Sequence, residues 1–324
     1  MQQKELQTYI SILKKFAKSS TEKVVEIENR FIKVKTPTHL CVLGAPVPDA
    51  DCGIYSLEAL DILSLDLNAD ISAYKLREVE GWKIDDSWKL YETETITKGL
   101  LDKLNTTAKF VSKDELRPAL QQVHIMNGDI FGTDGYRAYI TKHSQDIEYT
   151  IPKASVHVSS INAVSKAFKF GEWLIAYGKD DYGDSRTEFN NGYLVIWDLG
   201  CDSSQVPEMR KLLQERQTLT TDAHFKFPYK QVKGVANKDT EVTIGKDGSI
   251  SINSRPLPLK VTFQKSSPLV DGTSDTIKVL MPLINKEDAY IRLDLSLMSA
   301  FTPDKEGNLD LHVEDNSRSI VIVA

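Results

Sequence analysis

Three cysteines in 324 residues, Cys41, Cys52 and Cys201, are too few and too far apart for a disulfide framework or a CxxC metal site. They predict a reducing compartment, the cytoplasm. No run of about 18 apolar residues occurs, so no membrane-spanning helix is expected. The opening MQQKELQTYISILKKFAKSS is polar and amphipathic, without an apolar core segment or a small-residue cleavage site, which predicts no signal peptide. Cationic charge is not in excess either. Lys and Arg number 40 against 46 Asp and Glu, and the net charge of −6 does not announce a nucleic-acid binder.

Recognised chemistry is also missing. The histidines at 39, 124, 143, 157, 224 and 312 show no HxxxH or HxH spacing, so no zinc site is expected. GKDDYGDSR (178–186) lacks the alternating ligands and closing Glu of an EF-hand and reads as a polar hairpin tip. Neither a P-loop, nor GxGxxG after a strand, nor a GxSxG elbow is present. No cofactor or metal is expected, and the chain does not read as an enzyme. Trp82, Trp88, Trp173 and Trp197 read as packing residues rather than stacking platforms for bases.

What is present is periodicity. In residues 2–19, Leu6, Ile10, Leu13 and Ala17 form an apolar stripe, with Lys14, Lys15 and Lys18 off it. Residues 97–111 repeat the pattern with Leu100, Leu104, Ala108 and Val111, and with Lys103 and Lys109 off the stripe. A shorter candidate helix is KFPYKQVKGVANK (226–238), with Lys226, Lys230 and Lys233 on one face and Val232, Val235 and Ala236 on the other. Strand-like runs with Asn, Gly and Asp turns follow each one. They are KVVEIEN, FIKVKTP and HLCVLGAP, then QQVHIMNG, DIFGTD and YRAYITKH, then TEVTIGKDG, SISINSR and LKVTFQ. Weaker helices then appear at 56–65, 159–168 and 295–301. The chain therefore reads as α+β, three units of one architecture (1–91, 92–217 and 218–324), each with two helices packed on antiparallel sheets.

Charge is distributed unevenly over those units. Residues 2–19 hold four Lys and one acid, 97–113 hold four Lys and one acid, and 226–238 hold four Lys and no acid. Ordinary solvated helix faces carry acids in i,i+4 pairs with their lysines, and here the acids are scarce. Lysine-faced helices on an acidic body point to a phosphate backbone, read without base specificity.

At residues 97–140 the sequence resembles the start of the middle domain of bacterial DNA sliding clamps, the DNA polymerase III β-subunit family. There an amphipathic helix is followed by an Arg-containing segment, matched here by Leu116, Arg117 and Leu120, and then by a turn matched by Thr133, Asp134, Gly135 and Arg137. YTIPKASVHVSSINAVSKAF, SQVPEMRKLLQ and YIRLDLSLMSAF with NLDLHVEDNSRSIVIV are similar to later parts of the family pattern. The resemblance implies a ring made by head-to-tail dimerisation of three-domain subunits, with helices lining the hole and sheets outside. Its implied partners are duplex DNA, a second copy of the chain, and polymerase and clamp-loader peptides. The DNA-facing residues would be Lys14, Lys15, Lys18, Lys103, Lys109, Lys226, Lys230 and Lys233. The peptide pocket, between the middle and last domains, would be edged by Thr133, Gly135, Tyr136 and Arg137.

The sequence departs from the pattern at several places. Tyr136 stands where His is common, Ala138 where a larger apolar residue is usual, and Gln214 where the family often has Pro. The chain ends SIVIVA, without the family's Met-Pro-x-Arg-Leu strand, and IKVLMPL (277–283) looks like that strand at an earlier position. These features describe a divergent clamp of the kind a phage or mobile element carries. Two other readings stay open: a clamp-fold interaction protein that binds replication factors without encircling DNA, and an enzyme on an unrelated α+β fold.

Overall fold

The computed structural model describes residues 1–28, 30–45, 47, 52–77, 89–114, 116–143, 154–179, 185–200, 223–236, 240–264, 276–280, 291–313 and 321–323. Cys201, Gln214, Trp82, Trp88, residues 149–153, the 180–184 tip and the 204–214 segment lie outside the described residues. The chain folds as two compact units. The first takes residues 1–108, 122–128 and 146–206, and the second takes 109–121, 129–145 and 207–324.

In the first unit the apolar stripe of the N-terminal segment closes a helix, α1 (Gln3–Ser19). Leu6, Tyr9, Ile10, Leu13, Phe16 and Ala17 recur at three- and four-residue spacing and are all buried. Gln2 and Glu5 cap its start reciprocally. The buried stripe packs on strands β2 (Phe31–Lys35) and β3 (His39–Gly44). These belong to a nine-stranded sheet. Its spatial order is β5 (Lys75–Arg77), β4 (Gly53–Ser56), β1 (Val24–Glu28), β2, β3, β13 (Leu194–Leu199), β12 (Ser185–Asn190), β11 (Leu174–Lys179) and β6 (Lys89–Thr95). Every neighbouring pair is antiparallel. Period-two burial shows that one face is packed: Val25 and Ile27 are buried on β1, while Val24, Glu26 and Glu28 are half-buried.

Three further helices join α1. They are α2 (Glu58–Leu63), α3 (Lys98–Thr107) and α4 (Val158–Ala167). Packing runs from α2 to α1, from α1 to α4 and from α4 to α3, so the four lie side by side in that order. An antiparallel pair, β7 (Gln122–Met126) with β10 (Ala154–His157), leads into α4. Trp173 is fully buried, with its indole N–H donated to the Ala167 carbonyl at 3.4 Å, as a packing residue should be.

The second unit carries two rows of strands. One runs β8 (Asp129–Thr133), β9 (Arg137–Lys142), β18 (Thr276–Leu280), β21 (Val321–Val323), β20 (Leu309–Val313) and β14 (Ala223–Phe227). The other runs β17 (Arg255–Lys260), β16 (Ser249–Ile252), β15 (Glu241–Ile244) and β19 (Ile291–Asp294). Two short α-helices, α5 (Tyr229–Val235) and α6 (Leu295–Met298), accompany them among the described residues. Phe110, Tyr139, Phe225, Phe227, Val232 and Met298 share one apolar core with residues of both rows.

The structure corrects three expectations. The helix expected over 226–238 is confined to Tyr229–Val235, and Lys226 lies on strand β14. Pro228 is the reason: a proline biases the residue before it to extended backbone, so the helix cannot begin earlier. The helix expected over 97–111 ends at Thr107, capped at Ala108. Lys109 is therefore off it, and Phe110 turns into the second unit's core. Val235, expected on an apolar face, is 66 % exposed. No helix among the described residues is long and apolar enough to cross a membrane.

Candidate functional site

The turn Thr133-Asp134-Gly135-Tyr136 joins β8 to β9 and is held by its own side chains. Asp134 Oδ1 accepts from the backbone N–H groups of Tyr136 and Arg137, each at 2.9 Å. Its Oδ2 accepts from Arg137 Nε at 2.9 Å. Thr133 Oγ1 donates to the Arg137 carbonyl at 2.8 Å and accepts from the Gly135 N–H at 3.0 Å. Gly135 sits at φ +90°, left-handed backbone that favours glycine. A side chain there would also approach the Arg117 guanidinium at 3.5 Å and Leu120 at 3.9 Å. The Arg117–Leu120 segment thus stands beside the turn.

Arg137 ties this corner to the unit's core. Its Nη1 donates to the Leu297 carbonyl on α6 at 2.9 Å, and its guanidinium lies 5.7 Å from the Phe110 ring centre. Phe110 packs at 5.3 Å on both Tyr139 and Phe301. Of the four residues expected at a pocket edge, Thr133 is buried and Arg137 is largely spent on the fold, whereas Gly135 and Tyr136 face outward. Tyr136 is 55 % exposed, and Leu116, next to Arg117, is 90 % exposed. Strand β18, part of the IKVLMPL run, pairs directly with β9, setting Leu280 opposite Arg137 and Val279 opposite Ala138. That run therefore supplies the strand beside the turn, although it precedes α6 in sequence. Residues 281–283 of it lie outside the described residues.

The lysines are placed as follows. On α1, Lys15 and Lys18 are exposed and Lys14 is half-buried in an ion pair with Asp61 of α2. On α3, Lys103 is half-buried. Lys109 and Lys226 are exposed but off the helices, and Lys226 Nζ lies 3.9 Å from Glu306 Oε2. Lys230 and Lys233 are exposed on α5, with Lys233 Nζ 5.4 Å from the Tyr229 ring centre. Sequence reasoning missed Lys166 and Lys169. Lys166 is on α4, exposed, and donates to Ser11 of α1, while Ser165 donates to Asn105 of α3 at 2.9 Å. Ser11 shares a face with Lys14, Lys15 and Lys18, so α1 and α4 present their lysines together. The lysine tally extended to residues 159–168 reaches Lys166, whereas Lys169 lies past the end of α4.

Behind these helices lies a buried polar network. Asp198 on β13 is fully buried and receives His157 Nδ1 at 2.6 Å, the His157 N–H at 2.8 Å and the Ser160 hydroxyl at 2.6 Å. His39 stands beside it, its Nδ1 paired with Thr38 Oγ1 at 2.8 Å and its Nε2 with Ser159 Oγ at 3.0 Å. Burial lowers the His39 pKa to about 4, against the opposing charge of Asp198. Burial also pulls His157 down, but the Asp198 charge and hydrogen bond outweigh it and hold His157 above the usual histidine value. The network fastens the start of α4 to the sheet.

No family model matches the chain, and no curated protein matches it by sequence. Solved structures do match along the whole length. A sliding clamp (DNA polymerase III subunit beta) from Bartonella birtlesii, bound to griselimycin, is 11% identical at TM-score 0.60, with 100% of this chain and 97% of that one covered. DNA polymerase III beta subunit from Thermotoga maritima is 12% identical at TM-score 0.61, with 99% and 96% covered. The Pseudomonas aeruginosa subunit is 12% identical at TM-score 0.58, with 100% and 98% covered. The chain thus has the α+β fold of the DNA polymerase III β sliding clamps from end to end, as a divergent member of that fold.

Proposed function

We propose that the chain is a DNA sliding clamp: a non-catalytic cytoplasmic processivity factor that closes a ring around duplex DNA as a head-to-tail homodimer. Each subunit would contribute three clamp domains, 1–91, 92–217 and 218–324. The observation that carries this reading is the set of side-by-side helices of the first unit, with exposed lysines on α1 and α4, in a chain of net charge −6. Local cationic charge on a rigid helical face suits phosphate contacts that position DNA without reading its sequence. The proposed DNA-facing residues are Lys14, Lys15, Lys18, Lys103, Lys109, Lys226, Lys230 and Lys233, joined by Lys166. Tyr136 and Gly135, with Thr133 and Arg137 bracing them, would edge the pocket that takes polymerase and clamp-loader peptides.

A second reading is a clamp-fold protein that binds replication factors without encircling DNA. It is favoured by the Lys14–Asp61 pair and by Glu58 and Asp61 on α2, which offset cationic charge beside α1. Charge reversal separates the two. Lys15→Glu, Lys18→Glu and Lys166→Glu together should weaken duplex binding and reduce the slope of log affinity against log salt, by roughly one unit for each phosphate no longer neutralised. An unchanged slope would remove the DNA-lining role and leave the second reading.

A further inference from the structure

Two side-chain clusters among the described residues bring two histidines and a carboxylate within 4.8 Å of one another. In the first, His39, His157 and Asp198, the imidazole nitrogens and the carboxylate are committed to Thr38, Ser159, Ser160, Gln122 and each other, in the largely buried network described above. The second, His224, Asp310 and His312, is built differently.

His224 lies on β14, and Asp310 and His312 lie on β20. Asp310 and His312 are two residues apart, so the strand's period of two sets them on one face. His224 is directly opposite His312 in the antiparallel register. The His224 backbone N–H and C=O are both spent on Gln264, at 2.9 and 2.8 Å, on the other side of β14. The His224–His312 pair is therefore the non-hydrogen-bonded kind, in which side chains come closest. Their rings stack with centroids 4.4 Å apart and planes 8° from parallel. Both Nε2 atoms converge on Asp310 Oδ1: that of His224 in a direct hydrogen bond, and that of His312 at 3.8 Å.

From this geometry we propose that His224 Nε2, His312 Nε2 and an Asp310 carboxylate oxygen form a Zn²⁺ site. Zinc takes imidazole nitrogen and carboxylate oxygen at about 2.0–2.2 Å in tetrahedral geometry, which spaces ligand atoms by about 3.5 Å. The three atoms lie near that spacing, and binding would turn the two rings out of their parallel stack so that both Nε2 lone pairs point at the ion. The cluster grades outward: the side chain of His312 is 5 % exposed, that of His224 24 % and that of Asp310 37 %. The open side leaves the fourth position to water. Lys226, opposite Asp310 in the register, has its ammonium 3.9 Å from Glu306. Because β14 ends its row of strands, the bound ion would staple that strand to β20 through side chains as well as backbone.

The test uses the full chain, stripped with a chelator, desalted and titrated with ZnCl₂ by calorimetry near neutral pH. One equivalent should bind saturably at micromolar zinc. His224→Ala should weaken binding by about 100-fold or more, since even residues outside the ligand shell are worth 10–100-fold. Asp310→Asn retains a hydrogen-bond acceptor for His224 and so keeps the fold, and it should lose a similar factor. Zinc should raise the melting temperature of the original chain and of neither variant. Affinity should fall on acidification, because protons compete with the metal for its ligand atoms. Absence of saturable binding, or an affinity unchanged in both variants, overturns the site. Binding that survives both variants and is lost in His157→Ala would place the ion in the other cluster and overturn it equally.

Discussion

Replacing Asp134 offers the sharpest test of how the TDG corner is held. Its carboxylate accepts two backbone hydrogen bonds and one from the Arg137 guanidinium, all at 2.9 Å, and its side chain is 13 % exposed. A net hydrogen bond contributes about 1 kcal/mol, and one to a charged group about 1.5. Asp134→Ala leaves all three donors without their acceptor and should cost about 3 kcal/mol. Asp134→Asn keeps Oδ1 for the two N–H groups and surrenders the charged interaction, and should cost about 1 kcal/mol. For a unit of roughly 150 residues, 1 kcal/mol moves the melting temperature by about 2–4 °C. Thermal unfolding followed by circular dichroism should therefore separate the two variants by several degrees, with Asn the milder. Equal losses for Ala and Asn would refute the assignment of Oδ1 to the backbone. No loss for either would mean that the corner is set by Gly135 and the flanking strands alone.

Tyr136→Ala, which removes an exposed ring while sparing the turn's hydrogen bonds, should weaken binding of a polymerase-derived peptide about tenfold with little change in melting temperature; equal affinity would place the docking site elsewhere. For His39, the folded pKa of about 4 lies below the unfolded value of about 6.5, so the unfolded chain takes up a proton that the folded chain refuses. Stability should fall as pH drops through that window. His157, raised by Asp198, has the opposite sign and loses its contribution only as pH rises through its folded pKa. Denaturant midpoints should accordingly fall less steeply between pH 6.5 and 4 in His39→Asn, and an identical slope would remove His39 as the source.

Strand and helix types were legible because local patterns agreed with burial. Val25 and Ile27 alternate with polar residues, and Leu6 through Ala17 keep the helical period. The Thr-Asp-Gly turn was legible because an Asx carboxylate and a left-handed glycine are local chemistry. Lys226 was misplaced because its spacing from Lys230 and Lys233 fits a helix, while Pro228 alone decides that the backbone is extended. The commitment of Arg137 to Leu297 and the ion pair of Lys14 with Asp61 were not legible, since both depend on residues brought together only by folding. The same holds for His224, Asp310 and His312. Their metal-ligand geometry arises from strand register across distant segments, which no HxH or HxxxH scan detects.

Topological retention on DNA bears most directly on the ring. The protein, loaded on nicked circular duplex and passed through a sizing column at moderate salt, should elute with the circle and be released when the same circle is cut to a linear form. In solution it should run as a dimer. Equal retention on circular and linear DNA, or a strict monomer with no retention on either, would contradict a sliding ring.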